Sequence, residues 1–152
     1  MSLTKRQVYL IQSSFKSVEP IADVAAEIFY AKLFEYDPTL KPLFKGDMKS
    51  QGRKLMAMLK AAVSGLNDLD ALVPVIQQLA QRHIKYGVKV EDYTPVGNAL
   101  LYTLRQGLGA DFSPEVKQAW TDLYQLVANV MRQHAYRDFN PDRFVNRKHY
   151  HH

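Results

Sequence analysis

With 152 residues, a formal charge of +5 and a pI near 9.4, the chain has the length of one domain, and its 47% hydrophobic and 11% aromatic content argues against disorder. A compact fold of this size buries roughly 68–70% of the surface that the unfolded chain exposes. Absence of cysteine excludes disulfides, zinc–thiolate sites, iron–sulfur ligation and covalent porphyrin attachment through Cys-x-x-Cys-His. The start Met-Ser-Leu-Thr-Lys-Arg lacks a secretory signal, and no apolar run approaches the roughly 20 residues needed to span a bilayer, so a cytoplasmic chain with no membrane span is expected. The positive charge is spread over many segments and is densest in residues 136–152, where four basic residues face two acidic ones. That pattern suits a solvated terminus better than a nucleic-acid surface, so no nucleic-acid partner is expected.

Periodicity near 3.6 recurs along the chain, and strand alternation bounded by hairpin turns is missing, so the predicted fold is all-α. Val8, Ile11, Phe15 and Val18 mark the first amphipathic helix, with Thr4 as its N-cap and Glu19-Pro20 as the break after it. Pro20 suits the first turn of a second helix that turns Ile21, Val24, Ile28 and Phe29 inward and runs to about Tyr36, before Asp37-Pro38. Residues 38–44 are too proline-rich for a long helix and suit a short turn-like segment, followed by a Lys45-Gly46-Asp47 loop. From Ser50, Leu55, Met58, Leu59, Ala62 and Val63 outline another inward face that ends near Leu66, before Asn67-Asp68.

The next helix begins around Asp70, accommodates Pro74 in its first turn and stops at Gly87. A further helix covers about 92–108, with Pro95 early, Val96, Leu100, Leu104 and Leu108 inward and Gly109 as its stop. The last has the clearest start: Ser113-Pro114-Glu115 supplies an N-cap, a first-turn proline and an acid for the helix dipole. Val116, Trp120, Leu123, Val127 and Val130 form its inward stripe, and it is expected to reach about Arg137. Residues 1–137 then make one domain and residues 138–152 a basic, aromatic tail. The tail's His149, His151 and His152 form a loose chelating cluster that a solvated terminus explains equally well.

His83 is the only histidine before residue 134. Leu79, Ile76 and Leu72 precede it by four, seven and eleven residues, which places all four on one helical stripe and predicts an inward imidazole. A buried imidazole needs a partner, and a hydrogen-bonded core histidine is the commoner outcome. Zinc is a poor fit, because one central histidine without cysteine or clustered carboxylates cannot supply three or four ligands. A haem already gives its iron four nitrogens, so one imidazole suffices.

Ile-Phe-Tyr-Ala-Lys-Leu-Phe (28–34), Leu-Lys-Pro-Leu-Phe (40–44), Gln-Gly-Arg-Lys-Leu (51–55), Arg-His-Ile-Lys-Tyr-Gly (82–87), Tyr-Thr-Pro-Val-Gly (93–97) and Ala-Trp-Thr-Asp-Leu-Tyr (119–124) occur in this order. With these motifs the chain resembles bacterial single-domain globins and the globin half of flavohaemoglobins, over about residues 4–134. The resemblance implies a three-over-three globin fold around one haem b, with His83 as the proximal iron ligand and Phe44 stacked on the porphyrin. It makes Tyr30 and Gln51 the distal residues that act on a bound ligand, with Leu55 on the same face as Gln51 and Tyr93 on the proximal side. A phenol and an amide in a dry pocket can donate to a negatively polarised ligand oxygen, which favours tight binding and slow release. Gln51 stands where many globins have histidine, so bis-histidyl ligation from that position is excluded and an open sixth site is expected.

The family often pairs its proximal tyrosine with a glutamate. Here Tyr93 matches the tyrosine, whereas counting from Trp120 puts Ala135 in the glutamate's place. An anionic partner would push electron density to iron and help O–O chemistry, so its loss separates this chain from the full oxygenase pattern. His134 is adjacent but is turned about 100° away on the helix. Arg53, Lys54, Arg82 and Lys85 flank the distal glutamine and proximal histidine, where cations could meet haem propionates, although a solvated charged face accounts for each of them. The resemblance implies binding of O2, CO and NO, hence oxygen binding or storage, with NO dioxygenation if a separate reductase renews ferrous haem, since 152 residues leave no room for a flavin reductase domain. The alternatives are a haem-based gas or redox sensor acting through a protein partner, and a haem-free helical interaction protein.

Overall fold

Thr4 begins the first helix through a reciprocal cap: its hydroxyl accepts from the Gln7 backbone N–H, and the Gln7 side chain accepts from the Thr4 N–H, both at 3.0 Å. The chain that follows, a computed structural model, is described over residues 3–44, 46–85 and 90–135, except for the side chains at 82–85, 90 and 135. Its long helices are α1 (Lys5–Val18), α2 (Ala22–Tyr36), α3 (Met48–Ser64), α4 (Leu69–Lys85), α5 (Tyr93–Leu108) and α6 (Pro114–Ala135). Short 3-10 turns occupy Glu19–Ile21, Pro38–Leu43, Gly65–Asn67, Val90–Asp92 and Gly109–Asp111, and no strand occurs among the described residues.

Each junction has a local cause. The Asp37 carboxylate accepts from the Thr39 N–H at 3.1 Å and heads the Pro38–Leu43 turn, and Asp47 accepts from Lys49 N–H at 3.1 Å to begin α3. Asp68 accepts from the Ala71 N–H at 3.3 Å, so α4 begins at Leu69 and Pro74 falls in its second turn, exposed, rather than in its first. Gly109 ends α5 at φ +56°, a conformation that side chains with a Cβ rarely adopt. Ser113 accepts from the Val116 N–H at 3.2 Å at the head of α6, as its sequence predicts. The expected stop at Gly87 and the tail beyond Ala135 lie outside the described residues.

The helices pack chiefly as α2 on α5, α4 on α6, α1 on α6 and α2 on α3. Ile11, Phe15 and Val18 bring α1 onto Trp120 of α6, which is 1% exposed. The Trp120 indole N–H donates to the Ser14 hydroxyl at 2.9 Å, and that hydroxyl donates onward to the Leu10 carbonyl at 2.6 Å, so the largest buried side chain carries no unsatisfied donor.

The buried stripe of α2 differs from the predicted one. Ile21 and Val24, expected inward, are 37% and 53% exposed, while Ala25, Ala26, Phe29, Tyr30 and Leu33 are buried. Two alanines give a weak hydrophobic signal, yet they are what lets a neighbouring helix come close. A Cβ placed on Gly52 of α3 would lie 2.9 Å from the Ala26 Cβ, so the two helices cross where both sequences are smallest. On α4, Leu72, Ile76 and Ala80 are buried and Leu79 is half-buried, which bears out the predicted stripe up to the last turn.

Candidate functional site

The α2–α3 crossing sets one cluster. Tyr30 is buried on α2, its ring edge-on to Phe29 at 5.0 Å and to Phe44 at 5.3 Å and stacked on Phe34 at 6.0 Å. Its hydroxyl donates to the Gln51 backbone carbonyl at 3.3 Å, beyond the usual O–H···O range and therefore weak. Burial pushes the Tyr30 phenol up to about 12, so at neutral pH it is a proton donor. Gln51 is half-buried in the first turn of α3, where its N–H donates to the Asp47 carbonyl at 3.1 Å. The next residue is Gly52, so the same close approach to Ala26 brings Gln51 beside Tyr30.

Phe44 caps the Pro38–Leu43 turn with an extended backbone (φ −97°, ψ 101°) and is half-buried, edge-on to Phe34 at 5.4 Å. Leu55 follows Gln51 by one helical turn and borders an apolar cavity with Phe29, Met56, Leu59 and Leu100. The fold thus brings Tyr30, Phe44 and Gln51 together, with Leu55 on the adjoining wall.

Tyr93 belongs to a second cluster at the head of α5. It is buried, and its carbonyl accepts from the hydroxyl of Tyr124 on α6. Desolvation of its hydroxyl raises the Tyr124 phenol far above its ordinary value. The ring of Tyr124 covers Gly97, where a Cβ would stand 2.5 Å from a ring carbon, so only glycine permits this α5–α6 contact. Arg132 is 8% exposed; its guanidinium carbon stands 5.3 Å from the centre of the Tyr93 ring, and its Nη2 is 3.5 Å from the Thr94 hydroxyl.

His83 is on the last turn of α4, three residues beyond buried Ala80 and seven beyond buried Ile76. Its side chain lies outside the described residues, as do those of Arg82, Lys85 and Ala135. Two positions before His83, the Gln81 side-chain amide meets His134 of α6 at 3.1 Å. His134 is exposed. Arg53 and Lys54 are exposed on α3. Among the described residues no group of three or more His, Cys, Asp or Glu side chains could hold a metal ion, and no helix is long and apolar enough to cross a membrane.

Gly52, Gly97, Tyr124 and Arg132 escaped the sequence-based choice of site residues. The first three stood inside the quoted motifs, but nothing in a string marks a glycine as a helix contact. Arg132 left a signal: it follows buried Ala128 by four residues and so continues that face with a charge.

A family model described as Globin matches residues 27–131. A flavohemoprotein of Halalkalibacterium halodurans is 28% identical over 135 residues, which cover 87% of this chain and 33% of the relative, so the chain spans about a third of that protein's length. A neuroglobin of Chaenocephalus aceratus is 30% identical over 145 residues, covering 86% of this chain and 91% of the relative. Among solved structures, an engineered carbene transferase, whose Rhodothermus marinus parent carries a provisional assignment as a nitric oxide dioxygenase, superposes with a TM-score of 0.80 at 23% identity, over 90% of this chain and 95% of its own. A hexacoordinated haem protein from an anhydrobiotic tardigrade gives 0.80 at 16% identity, over 88% and 95%. With its all-α architecture and a family match across most of its length, the chain belongs to the globin family.

Proposed function

We propose that residues 1–137 form a unit that binds one haem b through His83 and takes diatomic ligands on the side of Tyr30 and Gln51. The donor set fits such a group: one imidazole position ends a buried helical stripe, and no cluster of other metal-binding side chains occurs among the described residues. Phe44 and Leu55 would pack against the macrocycle, and Tyr93 would stand on the proximal side. When bound, haem supplies an iron that coordinates O2, CO or NO. Globin relatives named flavohemoproteins and neuroglobins support this reading.

The observation that carries the proposal is the state of Tyr30. Its phenol is buried, protonated at neutral pH and held only by a long bond to a backbone carbonyl, so a better acceptor can take that proton without a costly loss elsewhere. The Gln51 amide adds a second donor from the adjoining helix, and the aromatic and aliphatic walls exclude water that would compete for both. These residues favour retention of a ligand with negative charge on its outer atom. Oxygen binding and storage is the activity they support directly. NO dioxygenation requires an electron donor, which on this proposal is a separate reductase.

Haem uptake tests the reading. The purified chain should show a Soret band at roughly 400–430 nm. His83→Ala should lose tight haem retention, and a normal holoprotein after that change would overturn the assignment. Mixing the ferrous protein, equilibrated with O2, against NO should yield stoichiometric nitrate if it also dioxygenates; no nitrate would leave ligand binding alone.

A further inference from the structure

The helix that carries Gln51 and Leu55 has a charged exterior that ligand binding leaves unexplained. Lys49, Arg53, Lys54 and Lys60 lie on α3 with no acidic residue among its 17, a net charge of +4 against +2 for the equally long stretch 136–152. Lys49, Arg53 and Lys60 follow one another by four and seven residues and share one stripe, with Lys54 about 100° round the helix from Arg53. The other exposed residues between 49 and 64 are small: Ala57, Ala61 and Ser64. Among the described residues only Lys60 of the four cations has an ion pair, to Glu19 at 3.5 Å. Asp47, at the head of the helix, commits its carboxylate to the Lys49 backbone N–H at 3.1 Å. Lys49 and Arg53 therefore stand one turn apart as like charges with no acid between them. Gln51 and Leu55 are half-buried on the other side of α3, so the charged face and the ligand side are separated by one helix diameter, about 10 Å.

We propose that this face of α3 is the docking surface for an acidic electron-donor protein that returns the haem to its ferrous state. The inference rests on haem ligation by His83 and gives the chemistry of the separate reductase. Its physical basis is electrostatic steering. A patch of one sign draws an oppositely charged partner from about a Debye length, roughly 10 Å at 0.1 M salt, and raises the rate of encounter. The small side chains among the cations leave a shallow surface, on which a partner's carboxylates reach the Lys and Arg heads without obstruction. Those carboxylates also relieve the repulsion between Lys49 and Arg53, so the face is better satisfied docked than free. One electron passes from the reduced donor to ferric iron, which becomes ferrous; the donor is oxidised by one electron, and no bond forms or breaks. A nucleic acid or an anionic membrane meets the same charge but supplies no electron to the helix's other side.

The test follows reduction of the ferric, haem-loaded protein by a reduced acidic flavodoxin and by reduced riboflavin, the same flavin chemistry without protein charge. Lys49→Glu/Ala57→Glu lowers the charge of the face by three. The new carboxylate at position 57 stands four residues from Arg53 and three from Lys60, a spacing that supports the helix, so folding is kept. At low salt flavodoxin should reduce the parent on the order of tenfold faster than the double variant, and raising salt from about 10 to 200 mM should remove most of that difference. Riboflavin should reduce both at rates within about twofold of each other. A carbodiimide should join flavodoxin carboxylates to Lys49, Lys54 or Lys60 of the parent. Equal flavodoxin rates, an equal loss with riboflavin, or cross-links confined to lysines outside α3 would overturn the inference while haem binding stands. Tighter binding to phosphatidylserine vesicles or duplex DNA than to flavodoxin, lost in the same variant, would overturn it in favour of another partner. A parent chain that takes up no haem overturns both readings.

Discussion

The Tyr30 cluster and the Tyr93 cluster are both organised by a buried tyrosine hydroxyl, yet they hold it in opposite ways. Tyr30 donates over 3.3 Å to the Gln51 carbonyl and is otherwise surrounded by aromatic rings. Tyr124, half-buried, donates in a short bond to the Tyr93 carbonyl and lies against a glycine that leaves room for its ring. The first arrangement leaves a donor that can be redirected to a ligand. The second commits its hydroxyl to the backbone and fixes the head of α5, with Arg132 laid over Tyr93. The Tyr30 cluster is therefore adaptable and the Tyr93 cluster rigid.

The largest expected effect comes from the rigid end. Gly97→Ala would drive a Cβ to 2.5 Å from the Tyr124 ring, an overpacking that should cost about 3 kcal/mol in chemical denaturation and weaken haem retention. A loss below about 1 kcal/mol would mean that Tyr124 moves aside freely and that this end is not rigid. At the adaptable end, Gly52→Ala meets the Ala26 Cβ at 2.9 Å and should cost about 2 kcal/mol. It should also speed ligand release, because Gln51 is moved relative to Tyr30. Unchanged release beside lowered stability would separate the helix crossing from the ligand site.

Tyr30→Phe should sharpen the contrast further. Loss of a hydrogen bond to a polarised ligand should raise the O2 dissociation rate by about tenfold, whereas stability should change by less than about 1 kcal/mol because the native bond is long. A stability loss larger than the kinetic effect would show Tyr30 to be a core residue first. The smallest effect is that of pH. The Tyr30 phenol is raised from 10.0 to about 12, so between these values the folded chain keeps a proton that the unfolded chain has released. Stability should therefore be flat through neutrality for this group and fall as pH rises from 10 toward 12, and Tyr30→Phe should lessen that fall. A Tyr30-dependent change near pH 8 would contradict the protonated donor.

Helix order and most boundaries were legible in the sequence because caps and breakers act locally. Thr4, Asp37, Ser113 and Gly109 do what their side chains or backbone freedom permit, whatever packs beside them. The buried face of α2 was legible only in part: Phe29 is inside as its spacing predicts, but Ala26 is inside where Gly52 of another helix lets the two meet, and Val24 is 53% exposed. Tyr30 and Phe44 were named from family resemblance, and their ring contact follows from the turn that Asp37 and the prolines impose. Arg132 and Tyr124 were missed as site residues because their meaning depends on the head of α5, 38 and 31 residues earlier in the chain. Local chemistry reads directly; close contacts between helices do not.

The central claim is that His83 alone ligates the haem from the protein side and leaves the Tyr30–Gln51 side open. The absorption spectrum of the ferrous protein without added ligand, taken before and after CO, tests it most directly. The account predicts a five-coordinate ferrous spectrum that converts fully to the CO-bound form. A six-coordinate, low-spin ferrous spectrum would contradict it, as would a chain that carries no haem at all.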